Sequence, residues 1–211
     1  MQEKQNLFAY IIGIGFLILT TFGGTYAVFQ FTGNNSNIIG SAYTFDLNVT
    51  KIDIKKSLNV IPLNDSDIVK AISRSTPCVD KNNYQVCSLY NIKLTNTGDR
   101  ASYSGSIITN TSTFTTTNLK YQVFTKSGST YTAVSDQISL SNTENANNNI
   151  VKDGTNVVVT LNASSTIDYY VALWLSNASE NQTSDMRKTF NGSVSFTDSE
   201  GNTKIESGIT N

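Results

Sequence analysis

Apolar and polar residues alternate strictly between Tyr43 and Thr50, and this pattern constrains the fold more than any other feature of the chain. The apolar residues of this segment would share one face: Tyr43, Phe45, Leu47 and Val49. Such alternation is typical of a half-buried β-strand, because successive side chains of a strand point to opposite faces. The apolar positions then shift to Ile52 and Ile54, which predicts a bulge or bend near Lys51.

Further segments predict a fold built almost entirely of strands. We expect strands at residues 89–96, 101–109, 119–126, 130–134, 137–140, 155–162, 167–176 and 189–198. The first two flank the turn sequence Asn96-Thr97-Gly98-Asp99 and are predicted to form a hairpin. Segment 167–176 is apolar on both faces, which predicts a central strand, and residues 141–149, with five asparagines, are predicted to form a polar loop. The pattern predicts an all-β protein, an antiparallel β-sandwich of jelly-roll type.

The 25 residues from Leu7 to Phe31 carry no charge. An apolar run of about 17 to 25 residues is long enough to cross a bilayer as a helix. Lys4, the apolar core and the small residue Ala27 are equally typical of a secretory signal. We therefore expect a signal peptide or signal anchor at 1–27, an N-terminal spacer at 28–40 and the sandwich domain at 41–211. Residues 28–211 are exported in either case, and residues 7–31 contact the membrane if the segment is retained.

Composition argues against several classes of function. The net charge is −1, from 15 basic and 16 acidic residues, so nucleic acid is not expected as a partner. The chain has no histidine, and thus lacks the commonest general base and the commonest zinc ligand. We expect no enzyme activity, no cofactor and no metal site. The sequence Asn64-Asp65-Ser66-Asp67 lacks the spacing of a calcium loop, and we expect it to cap a helix of about two turns.

Two further groups of residues suggest binding or covalent chemistry. Cys78 and Cys87 flank the turn sequence 80–83, which would let Val79 pair with Val86 and place the two cysteines opposite each other. We expect a structural disulfide that contributes about 2 to 3 kcal/mol, rather than a redox or metal pair. The aromatic residues around Trp174 allow a carbohydrate platform, but a packed core strand is the favoured interpretation.

Three segments resemble a known family. The stretch 23–29 (GGTYAVF), followed by Ile39-Gly40-Ser41 and the strand from Tyr43 to Val49, resembles the N-terminal signature of the TasA/camelysin family of exported bacterial proteins. Residues 90–98 are similar to the second recognisable strand and turn of that family, and residues 169–175 to its late central strand. The cysteine loop is not part of the general family pattern.

The resemblance implies a jelly-roll subunit of a surface or extracellular-matrix fibre, located outside a bacterial cell or on its surface. Self-association would occur by β-strand addition, with the N-terminal segment of one subunit completing the sheet of the next. Carried to this chain, cleavage falls between Ala27 and Val28, and the donor strand contains Val28, Phe29 and Phe31. Some family members are described as metallopeptidases, but this chain has no H-E-x-x-H motif. The alternative is a membrane-anchored surface binding or adhesion module that keeps its N-terminal helix.

Overall fold

The computed structural model describes residues 27–31, 37–39, 45–52, 60–150, 159–177, 182–198 and 204–207. The predicted signal peptide or signal anchor at 1–27 therefore lies outside the described residues, except for Ala27. The strands are β1 (Ala27–Phe31), β2 (Asn37–Ile39), β3 (Phe45–Lys51), β4 (Ser88–Asn96), β5 (Ala101–Ser112), β6 (Leu119–Ser127), β7 (Thr130–Ala133), β8 (Ile138–Ser139), β9 (Asn147–Asn149), β10 (Val159–Leu161), β11 (Ser165–Leu175), β12 (Lys188–Asp198) and β13 (Lys204–Ser207). A short helix, α1 (Ile68–Ile72), follows a 3-10 turn at Asp65–Asp67, and a further 3-10 turn spans Gln182–Asp185.

The strands form two sheets, which confirms the predicted antiparallel β-sandwich. The first sheet has the order β10-β5-β12-β13-β2, with β9 also on β5 and β1 also on β12. The second has the order β3-β4-β11-β6-β7, with β8 also on β6. The chain passes between the sheets from β4 to β5 to β6, and again from β10 to β11 to β12. This alternation between sheets is the wrapping expected of a jelly roll.

The predicted hairpin of β4 and β5 is wrong, because the two strands lie in different sheets. Both edges of β4 are already paired, one with β3 and the other with β11, so β5 has no edge of β4 to join. Asn96 organises the crossing between the sheets. Its side-chain amide donates to the Asp99 carbonyl at 2.6 Å and to the Leu161 carbonyl at 3.2 Å, and its side-chain oxygen accepts from the Gly98 N–H.

The sandwich core confirms the alternation that the sequence predicts. Phe45, Leu47 and Val49 are at most 4% exposed, whereas the residues between them face solvent. Strand β11 is central, as predicted, with β4 on one side and β6 on the other. Its inward residues pack in the same core: Ile167, Tyr169, Val171, Leu173 and Leu175.

A second, smaller core lies on the outer face of the second sheet. It forms because residues 60–87, which we call the excursion, leave the sandwich after β3 and cover the outward side of β11 before β4 begins. The buried residues Ile68, Ala71 and Ile72 of the excursion pack there against Ala172 and Trp174 of β11. Each face of β11 therefore packs against a core, which explains why both faces are apolar.

Gly192 marks a close approach within the first sheet. The register between β12 and β5 shifts between Asn191 and Gly192. A Cβ atom at position 192 would lie 2.8 Å from the carbonyl oxygen of Ile108. Only glycine fits there without a shift of the backbone.

Candidate functional site

The predicted cleavage and donor-strand residues lie in β1, at one edge of the first sheet. Strand β1 pairs in parallel with β12, from Ala27 opposite Lys188 to Phe31 opposite Gly192. Strand β13 pairs with the rest of the same edge, at residues 194–197 of β12. The edge of β12 is thus shared between an N-terminal and a C-terminal strand. Cleavage between Ala27 and Val28, and a donor role for Val28, Phe29 and Phe31, stay predictions.

The disulfide between Cys78 and Cys87 is confirmed. Their Cα atoms are 4.8 Å apart and both residues are fully buried in the second core. The strand-like pairing inside the loop differs by one residue from the prediction, since Val79 bridges to Gln85 rather than to Val86. Cys78 and Asn83 have φ values of 64° and 66°, so the loop turns more tightly than two extended strands would. The disulfide fastens the end of the excursion beneath α1.

The capping role expected of residues 64–67 is wrong. Neither Asn64 nor Asp67 makes a side-chain capping hydrogen bond. Asp65 instead turns its carboxylate towards the sheet, where it accepts a hydrogen bond from the Trp174 indole N–H at 2.8 Å and another from the Lys120 ammonium. Its backbone carbonyl accepts from the Gln137 amide at 2.9 Å. Asp65 therefore joins the excursion to β11, to β6 and to the segment before β8.

Two opposing effects act on the acidity of Asp65. Burial, the largest single effect, would raise its pKa, but the hydrogen bonds from Lys120 and Trp174 together hold the pKa below its ordinary value of 3.8. A carboxylate with a lowered pKa stabilises the fold above the pKa of the unfolded chain. That contribution is lost as the pH falls through the folded-state pKa.

We therefore expect Asp65→Asn to destabilise the protein at neutral pH by an amount that shrinks as the pH falls below about 4. The measurement is denaturant-induced unfolding of both proteins between pH 3 and pH 7. Asp46→Asn, at an exposed position of β3, is the matched control, and its effect should stay small throughout. A destabilisation by Asp65→Asn that is equally large at pH 3 and pH 7 would contradict this role of the carboxylate.

The aromatic residues near Trp174 do not form an exposed platform. Trp174 is 0% exposed and Tyr169 is 4% exposed, which confirms the packed-strand interpretation. Tyr170 is half-buried and lies edge-on to Tyr131, with the Lys126 ammonium 5.7 Å from its ring centre.

Carboxylates elsewhere are scattered or serve the fold. The described residues contain no group of three or more His, Cys, Asp or Glu side chains that could hold a metal ion. Asp185 is fully buried, and the sequence does not reveal its role. Its two carboxylate oxygens accept hydrogen bonds from Thr116 at 2.5 Å and from Asn118 at 2.7 Å, so it fixes the turn before β6.

The excursion carries a groove on its outward side, which we call the α1–loop groove. It lies between α1 and residues 78–87, which we call the disulfide loop, and has a volume of about 400 Å³. Its lining residues are Leu63, Asn64, Asp67, Lys70, Ala71, Arg74, Val79, Asp80 and Lys81. Sequence reasoning missed the groove, because the disulfide and the turn at 73–77 bring its two walls together. In the sequence, the only indication of the groove is weak: three of its lining residues are cations that lie within twelve positions of each other.

Comparisons with known proteins give no family. Neither a protein-family model nor a curated protein sequence matches the chain. Among solved structures, the cupredoxin domain of amoB from Nitrosocaldus yellowstonii is similar at 12% identity and a TM-score of 0.29, covering 86% of this chain and 91% of that one. A similarity this low carries no argument about function. Within the described ranges, no helix is long and apolar enough to span a membrane.

Proposed function

We propose that this protein is a non-enzymatic, exported subunit of a bacterial cell-surface or extracellular-matrix fibre, assembled by β-strand addition. The observation that carries the proposal is the parallel pairing of β1 with the edge of β12. Strand β1 is five residues long and all the other named strand pairs of the described residues are antiparallel. A strand so placed is held by backbone hydrogen bonds at an edge, and the β1 of a second chain could make the same bonds.

The rest of β12 supports an exchange of this kind. One edge of β12 pairs with β5 from Phe190 to Asp198, and residues 194–197 of its other edge pair with β13, so β12 keeps its position without β1. Replacing a chain's own β1 by that of a neighbour leaves the number of paired backbone groups unchanged. If each subunit in a series gives its β1 to the next subunit, the subunits are therefore linked into a fibre with little loss of hydrogen bonding.

Other features fit an exported structural protein. The disulfide suits an oxidising compartment outside the cytoplasm. Charged residues make up 15% of the chain, against roughly 25% in an average soluble domain, and amide and hydroxyl side chains dominate the exposed strand positions. The resemblance to the TasA/camelysin family adds the expectation of cleavage after Ala27, which would free β1 from the apolar segment.

The mature N-terminus tests this proposal. We expect mass spectrometry of the protein recovered from the bacterial surface to show a chain that begins at Val28 or one residue away. Such a terminus leaves β1 at the very start of the mature chain, where it can reach a neighbour. Recovery of a chain that begins at Met1, in the membrane fraction, would contradict the fibre proposal.

That second outcome defines the alternative function, a membrane-anchored surface binding or adhesion module. Two observations favour it: the uncharged run from Leu7 to Phe31 is long enough to span a bilayer, and the α1–loop groove offers a binding site. The same mass measurement separates the two functions.

A further inference from the structure

The α1–loop groove has the composition of a small-ligand site, and we propose that it binds a carboxylated sugar, such as the uronate unit of an acidic polysaccharide. This inference goes beyond the fibre proposal and does not depend on it. It rests on the charge of the groove, its size and apolar floor, and its rigid construction.

The groove is basic in a chain whose net charge is −1. Lys70 and Lys81 are exposed, Arg74 is half-buried, and all three line the groove. Within the part of the chain that the structure describes, the ion pair is the one between Lys120 and Asp65, and none of these three cations takes part in it. Cations that face a cavity without a protein partner are suited to bind an anion.

The two carboxylates of the groove do not cancel this charge. Asp80 is committed to the loop, because its Oδ1 atom accepts hydrogen bonds from the backbone N–H groups of Asn82 at 2.9 Å and Tyr84 at 2.8 Å. Asp67 lies at the α1 side of the groove. With three cations and two carboxylates, the lining keeps a net charge of +1, enough for one carboxylate rather than for a long polyanion.

The rest of the lining matches a pyranose ring better than a bare anion. A volume of about 400 Å³ lies within the usual range for ligand pockets and holds one or two sugar rings. Leu63, Ala71 and Val79 give the groove apolar side chains that can contact the C–H face of a ring, and the Asn64 amide can meet its hydroxyl groups. An inorganic anion would contact the polar part of this lining only, whereas a sugar ring can also contact its apolar side chains.

An exposed aromatic ring stands on the same loop. Tyr84 is 60% exposed, one of two large hydrophobic side chains in the described residues that face solvent, and the other is Val69 at 42% in α1. Asp80 holds Tyr84 in place through its backbone, and the Asp80 N–H donates to the Tyr84 carbonyl at 2.9 Å. An exposed tyrosine on the loop that carries Lys81 can stack on a neighbouring sugar of the same polymer.

The groove is also rigid, because the disulfide closes the loop that forms one wall and Asp65 ties the segment before α1 to β11. A binding site ordered before the ligand arrives loses less conformational entropy on binding. This allows useful affinity from few contacts.

The test measures binding of hexagalacturonate by calorimetry at low salt, with the full chain recovered in the form that the host exports. We expect saturable binding that Arg74→Ser/Lys81→Ser weakens about tenfold or more, since each charged hydrogen bond contributes strongly. The matched control is Lys93→Ser/Arg100→Ser, which removes the same charges from exposed positions elsewhere and should leave affinity unchanged. Tyr84→Ala should weaken hexagalacturonate binding, but leave the binding of monomeric galacturonate unchanged.

Several results would overturn the inference. They are an absence of binding by the unmodified protein, equal affinity for a neutral hexasaccharide, equal weakening by the control pair, or tighter binding of inorganic phosphate or of hexaglutamate than of hexagalacturonate. Unchanged melting temperatures in all variants establish that a loss of binding is not a loss of fold. The groove variants remain interpretable because their altered side chains are exposed or half-buried.

Discussion

Replacing Trp174 by alanine should destabilise the protein by about 3 to 5 kcal/mol, the usual cost of removing a fully buried aromatic side chain. Trp174 is 0% exposed although it lies on the outward face of β11, because α1 and the disulfide loop cover it. The change would leave a cavity in the second core and deprive the Asp65 carboxylate of its indole donor, which lies 2.8 Å away. The excursion would remain tied by the disulfide, but its contact with the sheet would be loosened.

Equilibrium unfolding in denaturant measures this loss of stability. A second variant at the same position separates the contribution of packing from that of the indole hydrogen bond, and a third variant, at an exposed position, serves as the control. Trp174→Phe retains most of the packing but not the N–H group, and it should cost less, about 1 to 3 kcal/mol. Tyr84→Ala removes an exposed ring from the same excursion and should change stability by no more than about 0.5 kcal/mol. A Trp174→Ala variant as stable as Tyr84→Ala would show that the excursion does not stabilise the sandwich.

Deleting residues 28–37 should abolish fibres while the remaining chain still folds. The deletion removes all of β1 except Ala27, together with the first residue of β2, but the residues of both described cores lie between Phe45 and Phe196. Strand β12 would keep its pairing with β5 and β13. Electron microscopy detects the fibres, and thermal unfolding of the soluble protein detects the fold.

A point-variant pair controls for the length of the deletion. Proline at both Phe29 and Gln30 removes the backbone N–H groups of two successive residues, so at least one donor towards β12 is lost. Alanine at the same two positions keeps every backbone group. Fibres that form with the prolines as readily as with the alanines would contradict strand addition through β1.

The strands could be predicted from sequence because burial on one face leaves a local record. The alternation between Phe45 and Thr50 and the two apolar faces of β11 are confirmed at the level of single residues. Which strands pair depends on which edges are free, and no local pattern records that. For this reason the turn at 97–100 reads as a hairpin, although it joins two sheets. Residues 141–149, predicted to form a polar loop, contain strand β9. Buried Asn148 of this strand donates a hydrogen bond to the Ile107 carbonyl, 41 positions away, and no local pattern records such a contact.

The candidate sites also differ in how far they could be predicted from the sequence. The disulfide is predictable because nine positions and one turn separate Cys78 from Cys87. The contact between Asp65 and Trp174 spans 109 positions, and a cluster of aspartate and asparagine before a helix reads locally as a cap. Arg74 and Lys81 likewise come to line the same α1–loop groove only through the excursion's own fold.

Cross-linking tests strand addition most directly. Gln30 of β1 lies opposite Asn191 of β12, and adjacent strands are about 4.8 Å apart, so cysteines at both positions can form a disulfide. Fibres of a Gln30→Cys/Asn191→Cys variant are oxidised and analysed on a non-reducing denaturing gel, with Gln30→Cys alone as the control. Strand addition predicts a ladder of covalent multimers from the fibres and internally cross-linked monomers from the soluble protein. Fibres that yield only internally cross-linked monomers would contradict it.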